Sequence, residues 1–169
     1  PDNGWEVESW TLDGSSVNGT NTSYTLSGIT GNKNVTVKFK KKVYNVTFSV
    51  DGGTGGSLDG TYSGNTQTAS GGTERTFTVT HDGSVTFTAS PDTANGYEVE
   101  NWTGATATPP NSTTATLSNV TAPVTVMVKF KKKPYEVRFK VEGGIGGSLK
   151  GEYNGTPAQT ETTTGSTVK

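Results

Sequence analysis

The stretch "VTVKFKKKVYNVTFSVDGG", residues Val35–Gly53, returns later in the chain as "VMVKFKKKPYEVRFKVEGG", residues Val126–Gly144. The spacing between the two copies is about 91 residues, and self-similarity at a fixed spacing is the signature of a repeat architecture. Each copy runs through three consecutive lysines into a tyrosine, Tyr44 in the first copy and Tyr135 in the second. The stretch therefore marks the place where one repeat ends and the next begins.

The rest of the chain repeats in step with this junction. "PDNGWEVESWT" (Pro1–Thr11) matches "PDTANGYEVENWT" (Pro91–Thr103), with a two-residue insertion in the later copy. We predict the C-terminal half of one repeat at 1–43, one complete repeat at 44–133, and the N-terminal part of a third at 134–169. Because the chain lacks an initiator methionine and a signal-like stretch, we expect it to be a piece of a longer protein.

Apolar and polar residues alternate along the repeated stretch. Tyr44, Val46, Phe48 and Val50 share one face, and the residues Tyr135–Val141 repeat the pattern. A period of two residues is that of a half-buried strand, and no stretch shows the 3.6-residue apolar period of a helix. The sequence predicts an all-β fold of tandem small domains, either sandwiches or β-grasp-like, joined end to end. Further predicted strands are "GSLDGTYS", "RTFTVT", "SVTFTAS", "YEVENWT" and "TATLSNV".

Two local features of this pattern call for special backbone geometry. "THDGSV" separates two strand patterns, and its Asp-Gly pair is a hairpin signal that makes His81 a turn residue. In "GWEVESW" the indole of Trp10 falls on the opposite face from Val7, and Trp102 repeats this break. We predict a β-bulge at Ser9 and at Asn101 that turns each indole inward. The alternative is that each indole covers the second face of its sheet.

Composition excludes several classes of protein. The formal net charge is −1 and charged residues make up 17% of the chain, whereas a nucleic-acid-binding protein usually carries a strong basic excess. Cysteine is absent, which excludes disulfides and thiolate metal sites. No apolar run is long enough for a transmembrane helix, so we expect no membrane insertion in this segment.

The lysine runs favour a structural role. Lys38 and Lys40 lie on the solvent face of a predicted strand, where lysine discourages aggregation between sheet edges. Inter-repeat linkers then follow, in which Pro134 restricts the backbone of the second. An anionic ligand is the alternative reading of the same lysines. The predicted linker residues are Lys41, Lys42 and Val43 in the first copy and Lys132, Lys133 and Pro134 in the second.

The sequence predicts no catalytic site. Glu98 and Glu100 share one strand face, as do Glu6 and Glu8, but a glycosidase dyad needs a partner carboxylate across a cleft. The chain has no calcium-loop motif, and "DGGTGG" lacks the lysine and the helix of a phosphate loop. We therefore expect a protein that is not an enzyme and that has no cofactor and no metal.

The tryptophans are the candidates for a binding site. Trp10 and Trp102 could stack on sugars if their rings lie flat on the surface. The alternative is that they fill the core, because a repeat of about 90 residues needs large side chains to bury enough area.

The order of motifs in the complete repeat resembles a known family. "DGGTGGSLDG", "SVTFTASP", "NGYEVENWTG" and "NVTAPVTVMVKF" follow one another as in the divergent internalin B-type bacterial repeat. The resemblance covers the whole chain. It implies a small, mostly β module of stalks and adhesins in bacterial cell-surface and secreted proteins, and it brings no catalytic residues.

The residues and the resemblance together predict a structural repeat of an extracellular bacterial protein, which acts as an elongated stalk, spacer or fibre segment. One alternative is a carbohydrate-binding or adhesive module that uses exposed aromatic rings. Another is a segment of an extracellular filament, in which one chain completes the partial repeat of another. The expected partners are neighbouring repeats of the same chain, further copies of the chain in a homo-assembly, and a surface glycan or host protein.

Overall fold

The computed structural model of the chain describes residues 1–141, 147–153 and 159–164. The chain divides into two compact units, 1–133 and 134–169. The predicted all-β fold is confirmed. Within the described residues the only helical elements are two three-residue 3₁₀ turns, Asp51–Gly53 and Thr93–Asn95.

The strands of the first unit form three sheets. The half-repeat forms the sheet β2-β1-β3, and the complete repeat forms the sheets β10-β8-β5-β6 and β7-β4-β11-β9. The strands are β1 (Trp5–Leu12), β2 (Ser15–Val17), β3 (Val35–Lys41), β4 (Val43–Val50), β5 (Gly56–Tyr62), β6 (Asn65–Ser70), β7 (Arg75–Thr80), β8 (Val85–Pro91), β9 (Tyr97–Thr103), β10 (Thr114–Leu117) and β11 (Val124–Lys132).

The two sheets of the complete repeat pack face to face around Phe48. The Phe48 side chain is fully buried, and its ring centroid lies 5.6 Å from Phe77 in its own sheet and 5.5 Å from Phe87 in the facing sheet. At Gly60 an added Cβ would lie 2.7 Å from the Phe48 ring, so a residue without a side chain is needed there. This packing is that of a β-sandwich, one of the two predicted architectures.

The strand pair β1–β3 of the half-repeat reproduces the strand pair β9–β11 of the complete repeat. In β1 the register passes from Val7 opposite Phe39 to Ser9 opposite Lys38, which leaves Glu8 as the extra residue. β9 shows the same shift, with Glu100 as the extra residue. The bulge therefore exists in both copies, one residue before the predicted position.

The hairpin predicted at "THDGSV" is wrong. The tight turn forms, since Asp82 has a φ of +63° and Gly83 N–H donates to Thr80 O at 2.8 Å. However, β7 pairs with β4 in one sheet and β8 pairs with β5 in the other, so the turn carries the chain between sheets. Two backbone hydrogen bonds with Val120 hold the turn at this crossing: Asp82 N–H donates to Val120 O, and Val120 N–H donates to Gly83 O, at 3.0 Å each.

In the second unit β12 (Ser148–Tyr153) and β13 (Gln159–Thr164) form an antiparallel hairpin. The strand predicted over Tyr135–Val141 is wrong, because this segment forms no strand. Its counterpart β4 lies between β7 and β11 in the complete repeat. No such flanking strands pair with it in the described part of the second unit, so its backbone has no ladder to join.

Replacing Phe48 tests the centre of the sandwich. We expect Phe48→Ala to lower the free energy of unfolding by about 3–5 kcal/mol, because it leaves a cavity between two closely packed sheets. Urea denaturation monitored by tryptophan fluorescence measures this loss. Phe39→Ala is the matched control, since the Phe39 side chain is 42% exposed. A loss for Phe48→Ala no larger than that of the control would remove Phe48 from the core.

Candidate functional site

One peptide unit connects the half-repeat to the complete repeat. Lys42 is the single residue between β3 and β4. Its N–H donates to Gly4 O at 2.9 Å, and its carbonyl oxygen accepts from the N–H of His81 at 2.8 Å. Gly4 belongs to the half-repeat and His81 to the complete repeat, so Lys42 is hydrogen-bonded on both sides. We call this set of residues, Gly4, Lys41, Lys42, Tyr44 and His81, the joint.

The His81 imidazole fills the space between the two repeats. The His81 side chain is 7% exposed and lies against Gly4. A Cβ on Gly4 would overlap His81 Cδ2, and the φ of Gly4 is +77°, a conformation that favours glycine. Gly4 therefore permits both the turn before β1 and the close approach of the imidazole.

Polar atoms of the joint have partners from both repeats. The Tyr44 hydroxyl lies 3.4 Å from His81 Nδ1, and His81 Nε2 lies 3.4 Å from a carboxylate oxygen of Asp82. Lys41 Nζ donates to the carbonyl oxygen of His81 at 3.3 Å. No buried side-chain nitrogen or oxygen among the described residues lacks a hydrogen-bond partner. The joint thus combines burial with satisfied polar groups, as a packed interior does.

The Gly–Lys hydrogen bond of the joint recurs at the end of the complete repeat. Lys133 N–H donates to Gly96 O at 2.8 Å, as Lys42 does to Gly4. Gly96 has a φ of +73°, close to that of Gly4. Lys132 Nζ donates to Asn95 O at 2.6 Å. Because the Gly–Lys hydrogen bond and the positive φ of the glycine occur in both copies, we infer that they are general features of this repeat.

The segments between the strands are shorter than the predicted linkers. Lys41 is the last residue of β3 and Val43 the first of β4, so Lys42 alone lies between strands. Lys132 likewise ends β11, and Lys133 and Pro134 follow it. Sequence reasoning missed Gly4 and His81 as joint residues. The signal for Gly4 was present, because a glycine precedes the aromatic residue in both "NGWEVE" and "NGYEVE".

The remaining lysines of the runs pair with glutamates across the strands. Lys38 lies 2.8 Å from Glu8 and Lys40 lies 3.4 Å from Glu6. The complete repeat has the same ladder, with Lys129–Glu100 at 3.0 Å and Lys131–Glu98 at 3.8 Å. Because β11 lies between β4 and β9, its lysines are not on a sheet edge. The lysines of the complete repeat therefore lie on the solvent face as predicted, but in the interior of the sheet, where they join two strands.

The Lys38–Glu8 pair shifts the pKa of Glu8 in the direction opposite to that of a general acid. The hydrogen bond from Lys38 lowers the pKa of Glu8, and the hydrogen bond to Glu8 raises the pKa of Lys38. Glu100 raises the pKa of Lys129 in the same way. A catalytic carboxylic acid needs a raised pKa. The ladder therefore suits a solvated structural face.

The indole N–H groups of the two candidate tryptophans donate hydrogen bonds to neighbouring loops. Trp102 Nε1 donates to Ser112 O and Trp10 Nε1 donates to Asn21 O, both at 2.8 Å. The Trp102 ring packs against the core, 6.4 Å from Phe87, and the Trp10 ring lies 5.9 Å from Tyr24. Both side chains are half-buried. The structure thus places the two indoles at equivalent positions of their repeats and does not bring them together.

The described residues contain no group of three or more histidine, cysteine, aspartate or glutamate side chains that could hold a metal ion. They also contain no helix long and apolar enough to cross a membrane.

Gly4→Ala tests the contact between the two repeats. The added methyl group would overlap the imidazole and separate Gly4 from His81. The strand pairing within the β2-β1-β3 sheet and within the sheet that contains β4 should stay intact. We expect a distance distribution between spin labels at Thr36 and Thr88 to be narrow in the parent chain and broad in the variant. Gly14→Ala is the control, because it also replaces a positive-φ glycine but meets nothing within 4 Å. Equal broadening in both variants would contradict a role for the Gly4 contact.

The ion-pair ladder makes a prediction about pH. Because the folded pKa of Glu8 is lowered, its contribution to stability is present above its unfolded pKa and is lost as the pH falls through its folded pKa. We expect a carbon-detected NMR titration to show Glu8 ionising below the usual range, and Lys38→Met to restore the usual value. An unchanged Glu8 titration in Lys38→Met would show that Lys38 is not the cause.

Comparison with known proteins gives one family. The family model described as the divergent InlB B-repeat domain matches residues 1–43 and residues 44–134. Searches of the curated proteins and of the solved structures found no match. The boundary between the two family matches falls at the joint, directly before Tyr44, and the family is a repeat domain rather than a known enzyme family. The two matches cover most of the chain, which therefore belongs to the divergent InlB B-repeat family.

Proposed function

We propose that this chain is part of a stiff spacer in a bacterial surface or secreted protein, in which successive repeats are held at a fixed angle. The observation that carries the proposal is the joint, where Lys42 bonds to Gly4 on one side and to His81 on the other. A spacer needs such a connection, because independent domains on flexible linkers do not transmit direction.

The length of the connection supports stiffness. A single residue separates β3 from β4, so few backbone dihedral angles are free to change the angle between repeats. Bending at this point would break the two backbone hydrogen bonds of Lys42 and expose the His81 side chain. The recurrence of the Gly–Lys hydrogen bond at Gly96 and Lys133 supports the same connection between later repeats.

The family supports a location at the bacterial surface or outside the cell, since it suggests surface and extracellular proteins. The partners that we propose are the neighbouring repeats of the same chain. A structural role also agrees with the ladder, in which Lys38 and Lys129 are paired with glutamates and so do not act as unpaired cations for an anion.

A glycan-binding role at Trp10 and Trp102 has less support. Sugar stacking requires an open ring face, whereas both indoles are half-buried and both N–H groups donate to loop carbonyls. We therefore assign these residues to loop anchoring within each repeat. A spacer that presents another domain remains the function that the geometry supports best.

Small-angle X-ray scattering on arrays of two, three and four complete repeats tests the spacer. We expect the maximum dimension to grow linearly with the number of repeats, as for a rod. Arrays with alanine at every position equivalent to Gly4 are the matched control, and they should follow the weaker growth of a flexible chain. Flexible behaviour of the parent arrays would contradict the proposal.

A further inference from the structure

Each of the two sheets of the complete repeat ends in two edge strands, and two of these four edges, β10 and β9, are protected by their own sequence and loops. β10 has four residues, and Thr106 and Thr116 exchange two backbone hydrogen bonds of 2.9 Å beside it. β9 carries the bulge at Glu100 and two charged side chains, Glu98 and Glu100. Short length, cover, bulges and charges all discourage pairing between sheet edges.

The edge strand β7 is covered by side chains from the facing sheet. The Thr80 N–H donates to the Tyr62 hydroxyl at 3.1 Å. The Gln67 side-chain amide donates to Thr76 O at 3.4 Å. These two side chains therefore occupy backbone groups of β7 that an added strand would need, and Arg75 places a charge at the start of the strand.

The fourth edge strand, β6, has none of these protections. It is six residues long and contains no charged residue and no proline. It pairs with β5 without a register shift, so it has no bulge. The carboxylate of Asp59, which accepts from the Thr68 hydroxyl, lies one strand away on β5. We call the side of β6 that faces away from β5 the β6 edge.

The turn before β6 decides which backbone groups lie on the β6 edge. Ser63 and Gly64, with φ values of +50° and +80°, form a two-residue turn between β5 and β6. Tyr62 and Asn65 on either side of such a turn form a hydrogen-bonded pair, and the two kinds of pair then alternate along the ladder. Every second residue after Asn65 therefore directs its N–H and C=O groups away from β5. These residues are Thr66, Thr68 and Ser70.

Two of these residues keep both backbone groups available. Ser70 O accepts from the Thr73 N–H at 2.9 Å and so belongs to the following turn. In the part of the chain that the structure describes, no backbone hydrogen bond outside the β5–β6 ladder involves Thr66 or Thr68. The β6 edge thus presents two donors and two acceptors at alternate residues, which is the pattern that an antiparallel strand can pair with.

We propose that the β6 edge pairs with the β6 edge of a second copy, in antiparallel orientation about a two-fold axis at Gln67. In this register Thr66 of one copy lies opposite Thr68 of the other, and the two residues exchange both backbone hydrogen bonds. The two-fold axis repeats the exchange on the other side of Gln67. All the outward groups of Thr66 and Thr68 are then bonded, while Ser70 keeps its turn. The interface is isologous, because both copies use the same surface.

The charges around β6 favour a second copy as the partner, because the two-fold axis keeps like charges apart. Glu74 and Arg75 follow the Ser70 end of β6. The register places that end opposite the turn at Gly64 of the other copy, away from the same charges. The Asp59 carboxylates of the two copies would be three strand spacings apart, about 14 Å, which exceeds the Debye length of about 8 Å at physiological salt.

Pairing at the β6 edge would also join the outer faces of the two sheets. Within the repeat, Thr61 Oγ1 and Thr66 Oγ1 form a cross-strand hydrogen bond of 2.9 Å. The dimer would place Thr66 beside Thr68 of the other copy, and cross-strand threonine pairs stabilise a sheet. Because each copy contributes one short strand, we expect a weak, reversible dimer. This association goes beyond the spacer function and does not depend on the stiffness of the joint.

Sedimentation velocity on the 169-residue chain over a concentration series tests the pairing. The parent chain should form dimers as its concentration rises. Thr68→Pro should abolish them, because proline removes an N–H that the β6 edge needs and that β5 does not use. Thr68→Val is the matched control, since it also loses the hydroxyl but keeps the N–H, and it should form dimers like the parent. Circular dichroism checks that both variants keep the parent fold.

Cross-linking tests the register without proline. The chain has no cysteine, so one introduced cysteine reports one contact. Gln67→Cys should form disulfide dimers rapidly on oxidation, because directly opposite residues of a non-hydrogen-bonded pair have Cα atoms about 4.5 Å apart, within the range of a disulfide. Thr88→Cys, on the exposed outer face of β8 in the same sheet, is the control and should cross-link slowly.

Three results would overturn the proposal. The first is a parent chain that stays monomeric at every concentration, which would leave the β6 edge to a strand of a different protein. The second is a folded Thr68→Pro chain that forms dimers like the parent. The third is a Gln67→Cys chain that cross-links no faster than Thr88→Cys.

Discussion

The peptide unit of Lys42, hydrogen-bonded to Gly4 on one side and to His81 on the other, is the constraint on which the arrangement of the repeats depends. It closes the turn before β1 and holds the β7–β8 crossing at the same time. Two requirements follow from it. Gly4 must lack a side chain so that the imidazole can approach, and the connection between β3 and β4 must be short enough to keep Lys42 between its two partners.

The interior of the complete repeat depends on a different set of contacts, centred on Phe48. Its ring meets Phe77 in one sheet and Phe87 in the other, and it covers Gly60. The same relation between a phenylalanine and a glycine recurs at Phe139 and Gly151 in the second unit. The segment Tyr135–Val141 therefore keeps the phenylalanine–glycine contact of β4, although it forms no strand.

Period-two alternation was sufficient to predict the all-β fold and most strands, because inward-facing residues such as Val46 and Phe48 are buried as the pattern requires. Which strands pair with one another was harder to predict from the sequence. The Asp82–Gly83 turn has the residues of a hairpin turn, but the two backbone hydrogen bonds that it shares with Val120 are long-range and hold the chain where it passes into the other sheet. The joint could not be predicted from local sequence either, because His81 packs against Gly4, a residue far away in the sequence.

The most direct measurement of the joint is amide hydrogen exchange of Lys42 and His81 in the native protein. If the joint is a packed connection, both amides should exchange as slowly as the paired amides of β4, because opening them requires the repeats to separate. Exchange of these two amides as fast as that of the exposed turn at Gly19 and Thr20 would show that the repeats move independently, and would contradict a stiff spacer.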